Sequence, residues 1–321
     1  RRPALPRRAA DGRAARRTRR VLFGRRGLLL DGSGRGDGAR GRPVLIFLHG
    51  FPEGAFVWDS LLEHFAQPEH GGYRCVAPNL RGFEQSSSPK DVSDYRPKHL
   101  VQDILALIDI ETGGSDTTLA CLIAHDWGGA VAWNLANQHP ERLQRLAIIN
   151  SPHPGTFLRE LQNSPAQQAA SAYMNFLVRD DAEALLCAND FERLWGFFRP
   201  GLGVSGALPT WLTATVQDQY RAVWHHGLHG GCNYYRASPL RPPRRDDPGA
   251  AAVTLPVKML TIPVSTLVLW GMDDVALPPA LLDGLGQYVP HLQLHRIPGA
   301  SHWIVHEHAA LVQHHLNQFL R

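Results

Sequence analysis

The chain has 321 residues, of which 44% are hydrophobic, and this is enough for one large α/β domain with an insertion. The formal net charge is +4, but 14 of the 33 basic and only 3 of the 29 acidic side chains lie in residues 1–42, so the other 279 residues are net acidic. This distribution gives no basis for nucleic acid as a functional partner, and no stretch is long and apolar enough to span a membrane.

Residues 1–20 are rich in Arg, Ala and Pro and lack apolar periodicity, so we expect a disordered or loosely attached basic extension. They also lack the uninterrupted apolar segment of a secretory signal. The four cysteines form no close C-x-x-C pair, which favours reduced thiols and a cytoplasmic location. They are Cys75, Cys121, Cys187 and Cys232.

Short apolar runs then follow in order along the chain. Residues 21–23 and 28–30, separated by Gly24-Arg25-Arg26-Gly27, predict a β-hairpin, and a glycine-rich loop is expected over residues 32–41. Farther on, apolar runs alternate with stretches of helical periodicity, which predicts a parallel sheet with right-handed crossovers. The predicted strands are 44–48, 73–77, 119–123, 143–149, 264–270 and 292–297, and the predicted helices are 56–65, 100–110, 130–137, 279–288 and a last one ending at Leu320.

The alternation of strands and helices stops after Asn150 and resumes near residue 257. The sequence in between is mostly helical or irregular and contains clusters of aromatic residues. We therefore expect a core domain built from residues 21–150 and 257–321, with residues 151–256 inserted into it as a helical cap. The polar, proline-rich stretch 241–249 is expected to lead out of the cap.

A turn between a predicted strand and a predicted helix carries the main chemical signal. Residues 124–129 read Ala-His-Asp-Trp-Gly-Gly, which matches the small-x-nucleophile-x-small pattern of a nucleophile elbow. The centre of the turn is Asp126 rather than Ser. Because a carboxylate attacks without first losing a proton, Asp126 suits displacement at an sp3 carbon better than acyl transfer.

Two further groups follow Asp126 in the order nucleophile, acid, histidine. Asp273 and Asp274 come just after one predicted strand, and His302 comes after the next. The carboxyl ends of parallel strands meet at one edge of the sheet, where such folds bind ligands. We therefore expect Asp126, His302 and one of the two aspartates to form a catalytic triad.

Residues 49–53, His-Gly-Phe-Pro-Glu, form a sharp turn after another predicted strand. A proline at position 52 permits a cis peptide bond before it. The turn brings the main-chain N–H of Phe51 towards the elbow, where the N–H of Trp127 also lies. We expect these two groups to form an oxyanion hole around one carboxyl oxygen of Asp126.

Together these motifs resemble the α/β-hydrolase-fold epoxide hydrolases, over a region from about Val44 to the C-terminus. Two further segments are typical of that family: residues 150–154, Asn-Ser-Pro-His-Pro, and residues 233–236, Asn-Tyr-Tyr-Arg. The resemblance implies an α/β-hydrolase fold with a mostly parallel, eight-stranded sheet, helices on both faces and a helical cap. It also implies conversion of an epoxide and water to a vicinal diol, through a covalent ester on Asp126 and without a metal or organic cofactor.

The resemblance also assigns individual roles. In this family the acid lies three residues after the glycine that ends the strand, which indicates Asp274 and leaves Asp273 as the fallback. Asn150 stands where some relatives carry the acid and cannot serve as an anion. Two cap tyrosines activate the epoxide oxygen in the family, and these are matched by Tyr173 and Tyr235, with Tyr234 the weaker alternative. The predicted substrate-binding residues are Phe51, Trp127, His153 and Trp303.

Three alternatives remain open at this point. A haloalkane dehalogenase shares the aspartate nucleophile, and Trp127 would supply one halide donor, but Phe51 stands where a second donor is usual. A non-catalytic ligand-binding homologue is disfavoured because every triad position is filled. The third alternative, a metal site, rests on ligand residue types in a glycine-rich stretch without a defined geometry, and we expect no metal. Its residues are His225, His226, His229 and Cys232. The expected assembly is a monomer or a homodimer.

Overall fold

The computed structural model of the protein describes residues 41–202 and 206–321 in full, together with the backbone of three strands before them. The expected basic extension and the turn at 24–27 lie outside the described residues. The strands are β1 (Val21–Phe23), β2 (Leu28–Leu30), β3 (Gly32–Arg35), β4 (Val44–Leu48), β5 (Arg74–Pro78), β6 (Cys121–His125), β7 (Arg145–Ile149), β8 (Ser265–Gly271) and β9 (Leu292–Ile297).

Seven of these strands form one sheet in the order β3-β5-β4-β6-β7-β8-β9. The six strands from β4 to β9 pair in parallel, and β3 pairs antiparallel with β5 at one edge. Every residue of β4 and β6 is buried, as the continuous apolar runs of inner parallel strands require. The parallel sheet predicted from the alternating pattern is therefore confirmed.

The N-terminal strands differ in part from the expectation. The hairpin is confirmed, since β1 and β2 pair antiparallel with Val21 opposite Leu30. This hairpin is a separate two-stranded sheet, so the main sheet has seven strands in the described residues rather than eight. The expected loop at 32–41 was partly wrong, because Gly32–Arg35 forms β3. An edge strand of this kind is held by main-chain hydrogen bonds and leaves no apolar side-chain pattern to read.

The helices lie before, between and after these strands. They are α1 (Asp59–Phe65), α2 (Pro97–Thr112), α3 (Asp126–Gln138), α4 (Pro154–Asn163), α5 (Pro165–Ala170), α6 (Ala172–Leu177), α7 (Ala182–Gly196), α8 (Ala214–Trp224), α9 (His229–Ala237), α10 (Ile304–Glu307) and α11 (Ala309–Leu320). One predicted helix, 279–288, was wrong: two short 3-10 helices, Pro279–Leu282 and Leu285–Gln287, take its place. Between them Gly284 adopts a left-handed φ of +73°, which stops the helix. None of the helices in the described residues is both long and apolar enough to cross a membrane.

Six helices, α4 to α9, lie between β7 and β8, and we call this segment the helical insertion. Within α7 the residues Asn189, Asp190 and Phe191 have positive φ values of 52°, 52° and 62°, so the helix is sharply interrupted there. Aromatic contacts join the insertion to the rest of the chain. The rings of Phe198 and Trp303 lie 4.3 Å apart. The indole N–H of Trp224 donates to the Pro52 carbonyl at 2.7 Å. The insertion therefore contacts the segments that follow the carboxyl ends of β4 and β9.

The start of α3 packs directly on the end of β4, and this contact sets the position of the turn after β6. A Cβ atom added at Gly128 would lie 2.5 Å from the Leu48 carbonyl oxygen and 2.6 Å from that of His49. Both neighbours are backbone atoms, so neither can move away without shifting a strand. Only glycine allows this close approach.

We expect Gly128→Ala to lower the free energy of unfolding by about 2–3 kcal/mol, because the added methyl group forces the helix away from the strand. The matched control is Gly114→Ala, since a Cβ at Gly114 meets nothing within 4 Å. Urea unfolding of the two variants measures the difference. Equal midpoints for both variants would contradict the packing described.

Candidate active site

Asp126 lies where β6 ends and α3 begins, at the edge of the sheet covered by the helical insertion. Its φ is +48°, an uncommon value for a residue other than glycine. The turn is tied to the next strand because the Ser151 hydroxyl donates to the Asp126 carbonyl at 2.7 Å. The carboxylate also lies at the N-terminus of α3, where the helix dipole stabilises negative charge.

Two main-chain amides meet the carboxylate of Asp126, and they belong to Phe51 and Trp127, the residues expected to form an oxyanion hole. The Phe51 N–H donates to Oδ1 at 2.8 Å, and the Trp127 N–H also hydrogen-bonds the carboxylate. The Phe51–Pro52 peptide bond is cis. One carboxyl oxygen, Oδ1, is thus held by an amide from a different strand end, while Oδ2 faces His302.

His302 lies between two carboxylates. Its Nε2 is 3.7 Å from Oδ2 of Asp126, and its Nδ1 is 2.7 Å from Oδ2 of Asp274. The other aspartate, Asp273, is exposed. Of the two aspartates left open by chain order, Asp274 is therefore the one hydrogen-bonded to His302.

Asp274 is itself held in place on every side. Its Oδ1 accepts the main-chain N–H groups of Ala276 and Leu277, each at 2.9 Å. Its Oδ2 accepts the Asn150 side-chain amide at 2.8 Å, and the Asn150 Oδ1 accepts the Gly271 N–H at 2.8 Å. Asn150, excluded as the anion on sequence grounds, thus orients the carboxylate that pairs with His302.

Burial and neighbouring charge set the protonation of these groups. Burial raises the pKa of Asp126, and the charge of His302 and the amide hydrogen bonds offset this only in part. Burial would lower the pKa of His302, but Asp274 and, to a smaller degree, Asp126 outweigh it and raise that pKa to about 9. The protonated form therefore stabilises the fold fully below the ordinary value of 6.5, and this contribution is lost as the pH rises through about 9.

A buried group near Asp126 and His302 was not assigned a role from the sequence. The Glu53 side chain is fully buried, and its Oε2 accepts from the Gly50 N–H at 3.0 Å and lies 2.9 Å from Nδ1 of His125. Burial would raise the pKa of Glu53, but His125 and the amide of Gly50 lower it to about 2. The other nitrogen of His125 lies 3.0 Å from the His302 carbonyl oxygen. The sequence signal that could have indicated this buried pair is the presence of polar residues at positions 53 and 125, next to apolar strands.

The predicted tyrosines lie on the insertion, with Tyr173 in α6 and Tyr235 in α9. Their ring centroids are 6.1 Å apart, and the ring of Tyr235 is 5.3 Å from that of Phe51. Burial, with a contribution from the charge of Asp126, raises the pKa of both phenols, which therefore stay protonated as hydrogen-bond donors. The alternative, Tyr234, donates its hydroxyl to the Arg81 carbonyl at 3.0 Å.

Two cavities meet at Asp126. Both are lined by Asp126, Tyr173 and Tyr235, and their walls are mostly apolar. The first has a volume of about 300 Å³ and also borders His302 and Trp303. The second has a volume of about 240 Å³ and also borders Trp127. A reacting group at Asp126 would therefore have apolar space in both cavities.

Three of the four residues predicted to bind substrate border these cavities. Phe51 and Trp303 line the first cavity, and Trp127 lines the second. The fourth, His153, borders neither of these two cavities. Its Nδ1 accepts the Gly155 N–H at 3.1 Å at the start of α4, and its Nε2 lies 2.8 Å from the Leu260 carbonyl oxygen. Both ring nitrogens are used inside the fold, and burial lowers the pKa of His153 to about 4.

The histidine-rich stretch 225–232, which runs into α9, shows no metal-binding arrangement in the described residues. Across the part of the chain that the structure describes, no group of three or more His, Cys, Asp and Glu side chains is placed to hold a metal. His229 lies with Nδ1 3.2 Å from Glu183 and Nε2 3.0 Å from the Lys90 carbonyl oxygen. These contacts secure the start of α9 to neighbouring segments.

Comparison with known proteins agrees with this fold. Residues 43–309 match the family described as the alpha/beta hydrolase fold. The AB hydrolase superfamily protein YfhM of Bacillus subtilis is 33% identical over 90% of this chain and 92% of its own length. Human epoxide hydrolase 4 is 31% identical over 88% of this chain and 74% of its own length. A solved structure described among novel epoxide hydrolases from metagenomes of hot environments is 33% identical, with a TM-score of 0.81, and the match covers 96% of this chain and 99% of that one. The chain belongs to the epoxide hydrolases of the α/β-hydrolase fold family.

Asp274→Asn removes the carboxylate that holds a proton on His302. We expect the pKa of His302 to fall from about 9 to near or below its ordinary value of 6.5, because burial then dominates. NMR titration of the imidazole measures this pKa directly. Asp273→Asn makes the same change at the exposed neighbour and should leave the pKa near 9. An unchanged pKa in Asp274→Asn would contradict the pairing.

Proposed function

We propose that the chain is an epoxide hydrolase that converts an epoxide to a vicinal diol through an ester on Asp126. The observation that supports this most strongly is that the two oxygens of the Asp126 carboxylate have different partners. Oδ1 accepts the Phe51 N–H at 2.8 Å, and Oδ2 lies 3.7 Å from Nε2 of His302. A carboxylate so placed has a free oxygen for attack and a base beside the bond that must later break.

In the first step Oδ2 of Asp126 attacks a ring carbon, and the carbon–oxygen bond of the epoxide breaks. The departing oxygen takes a proton from Tyr173 or Tyr235, because an alkoxide is a poor leaving group in an apolar cavity. Both phenols remain protonated until that moment, since burial raises their pKa. The product of this step is a β-hydroxyalkyl ester.

In the second step a water molecule attacks Cγ of Asp126 and gives one proton to Nε2 of His302. The negative charge develops on Oδ1, where each of the Phe51 and Trp127 amides would contribute about 3 kcal/mol of transition-state stabilisation. The acyl carbon–oxygen bond then breaks, and the diol oxygen takes the proton from His302. The second proton of water returns to the tyrosine that donated in the first step, so the cycle balances.

The first step also prepares His302 for the second. In the free enzyme two carboxylates raise the pKa of His302 to about 9, so the imidazole is protonated. Formation of the ester removes the negative charge of Asp126. The pKa of His302 then falls, and the neutral imidazole needed as a base becomes more populated. Asp274 remains to hold Nδ1 and to stabilise the imidazolium formed when water is activated.

The proposal about substrate binding rests on the position of the site beneath the helical insertion. We infer that residues 151–256 form a cap over a core of residues 21–150 and 257–321, and that the cap supplies both proton donors. The two cavities would accept the apolar substituents of an epoxide, with the ring held at Asp126. Water would enter as the second substrate. We propose no metal or organic cofactor.

The haloalkane dehalogenase alternative is supported less well. It requires two N–H donors around a leaving halide, and the phenyl side chain of Phe51 supplies none. Two buried phenols in contact with the nucleophile's cavity are, by contrast, donors suited to a developing alkoxide. Assays for halide release and diol formation on matched substrates separate the two functions.

His302→Gln should trap the ester, because ring opening does not require the histidine whereas hydrolysis of the ester does. We expect intact-mass analysis after exposure to styrene oxide to show one added substrate mass, located on the peptide that carries Asp126. In the matched control, Asp126→Ala with His302→Gln, no adduct should form. A folded His302→Gln protein that turns over normally and carries no adduct would contradict the covalent route.

A further inference from the structure

Tyr234 directly precedes Tyr235 in the chain and makes a hydrogen bond of its own, which influences the active site. Its side chain is almost fully buried, and its hydroxyl donates to the Arg81 carbonyl at 3.0 Å. Both tyrosines lie in α9. Because consecutive residues of a helix project about 100° apart, fixing one side chain of the pair fixes the direction of the other. The position of Tyr234 therefore influences the direction of the Tyr235 hydroxyl.

The acceptor of this hydrogen bond is itself held rigidly. The Arg81 guanidinium donates from Nε and Nη2 to both carboxyl oxygens of Asp103, each at 2.7 Å, and from Nη1 to the Asp94 carbonyl at 3.1 Å. Both charged side chains are buried, at 5% and 8% exposure. Asp103 belongs to α2, which packs in the core of the sheet domain. The Arg81 carbonyl therefore has a fixed position relative to that helix.

The main chains of Gly82 and Gly230 meet next to this hydrogen bond. A Cβ added at Gly230 would lie 2.2 Å from the Cα of Gly82, and one added at Gly82 would lie 2.6 Å from the Cα of Gly230. The first turn of α9 therefore rests directly on the backbone of the loop after β5. We call Arg81, Gly82, Asp103, Gly230 and Tyr234 the α9 clamp.

We propose that the α9 clamp positions Tyr235 for epoxide opening, with Tyr234 as its positioning residue. This inference rests on the proposed function. Tyr234 does not touch the reacting atoms, and its effect passes through the direction of α9. The other donor, Tyr173, is carried by α6, which is anchored separately through the Asn175 side-chain amide to the Pro242 carbonyl at 3.2 Å. The clamp should therefore affect one donor and leave the other in place.

The test is Tyr234→Phe, which removes the hydroxyl and keeps the ring. Single-turnover experiments with rapid quenching and mass analysis give the rates of ester formation and ester hydrolysis separately. We expect ester formation to slow by about tenfold and ester hydrolysis to stay within about twofold. A loss of folding alone would slow both steps together. Equal slowing of the two steps, or no slowing of ester formation, overturns the proposal.

A double-mutant cycle identifies the route of the effect. If Tyr234 acts through Tyr235, then Tyr234→Phe should slow ester formation no further in a Tyr235→Phe background. The matched control is Tyr288→Phe, at a tyrosine whose ring stacks 4.8 Å from His153 and which lines neither cavity in the described residues. It should leave both rates unchanged. Additive losses in the cycle overturn the proposed coupling.

A readout independent of activity separates this inference from the proposed function. We expect hydrogen–deuterium exchange of peptides spanning residues 229–237 to accelerate in Tyr234→Phe and not in Tyr288→Phe. Unchanged exchange in Tyr234→Phe overturns the clamp, whatever the activity. Absence of an ester in the wild-type protein would instead overturn the proposed function and, with it, the catalytic consequence of the α9 clamp. The exchange data would still decide whether the α9 clamp exists.

Discussion

The structure depends on keeping one carboxylate charged in a largely apolar cavity. Removing the Asp126 carboxylate from water disfavours its charge, which is why its pKa is raised. The surroundings compensate with the Phe51 and Trp127 amides, the N-terminus of α3 and the imidazole of His302. Phe51 and His302 come from other parts of the chain than Trp127 and α3, so the site exists only when the strand ends are aligned.

The same constraint explains the polar residues beneath the site. His302 is paired with Asp274, and its carbonyl oxygen contacts His125, which in turn pairs with the fully buried Glu53. Each imidazole along this line therefore lies within hydrogen-bond distance of a carboxylate oxygen. Glu53 also accepts the Gly50 N–H, which ties the turn that supplies the Phe51 amide. Glu53 therefore links the imidazole of His125 to the position of the Phe51 amide.

The sequence predicts the inner strands well because burial on both faces forces continuous apolar runs. The inner strand predicted at 44–48 matches the structure residue for residue. The strand predicted at 292–297 matches as well, although it lies at the edge of the sheet and is only partly buried. Where main-chain bonds decide the structure, the pattern is silent: the glycine-rich edge strand β3 was expected as a loop. The helix predicted at 279–288 was wrong for a related reason, because Gly284 adopts a left-handed conformation that apolar periodicity does not reveal.

The site residues, too, could be predicted from the sequence only in part. Chain order brings Asp126 and His302 together, because successive strand ends meet at one edge of a parallel sheet. The order alone does not separate Asp273 from Asp274, which depends on the local turn and on Asn150. The motif around His153 indicated a substrate contact, yet that side chain caps α4 and bonds Leu260. Residue type and position in the chain locate a strand end, but the direction of each side chain depends on the packed fold.

The proposed mechanism requires that a protein oxygen, rather than a water oxygen, first bonds to the substrate carbon. A single turnover in water enriched in oxygen-18, with enzyme in excess over epoxide, distinguishes the two. We expect a diol with no label and one labelled oxygen in the carboxylate of Asp126. Label found in the diol of that first cycle, with none in the protein, would contradict it.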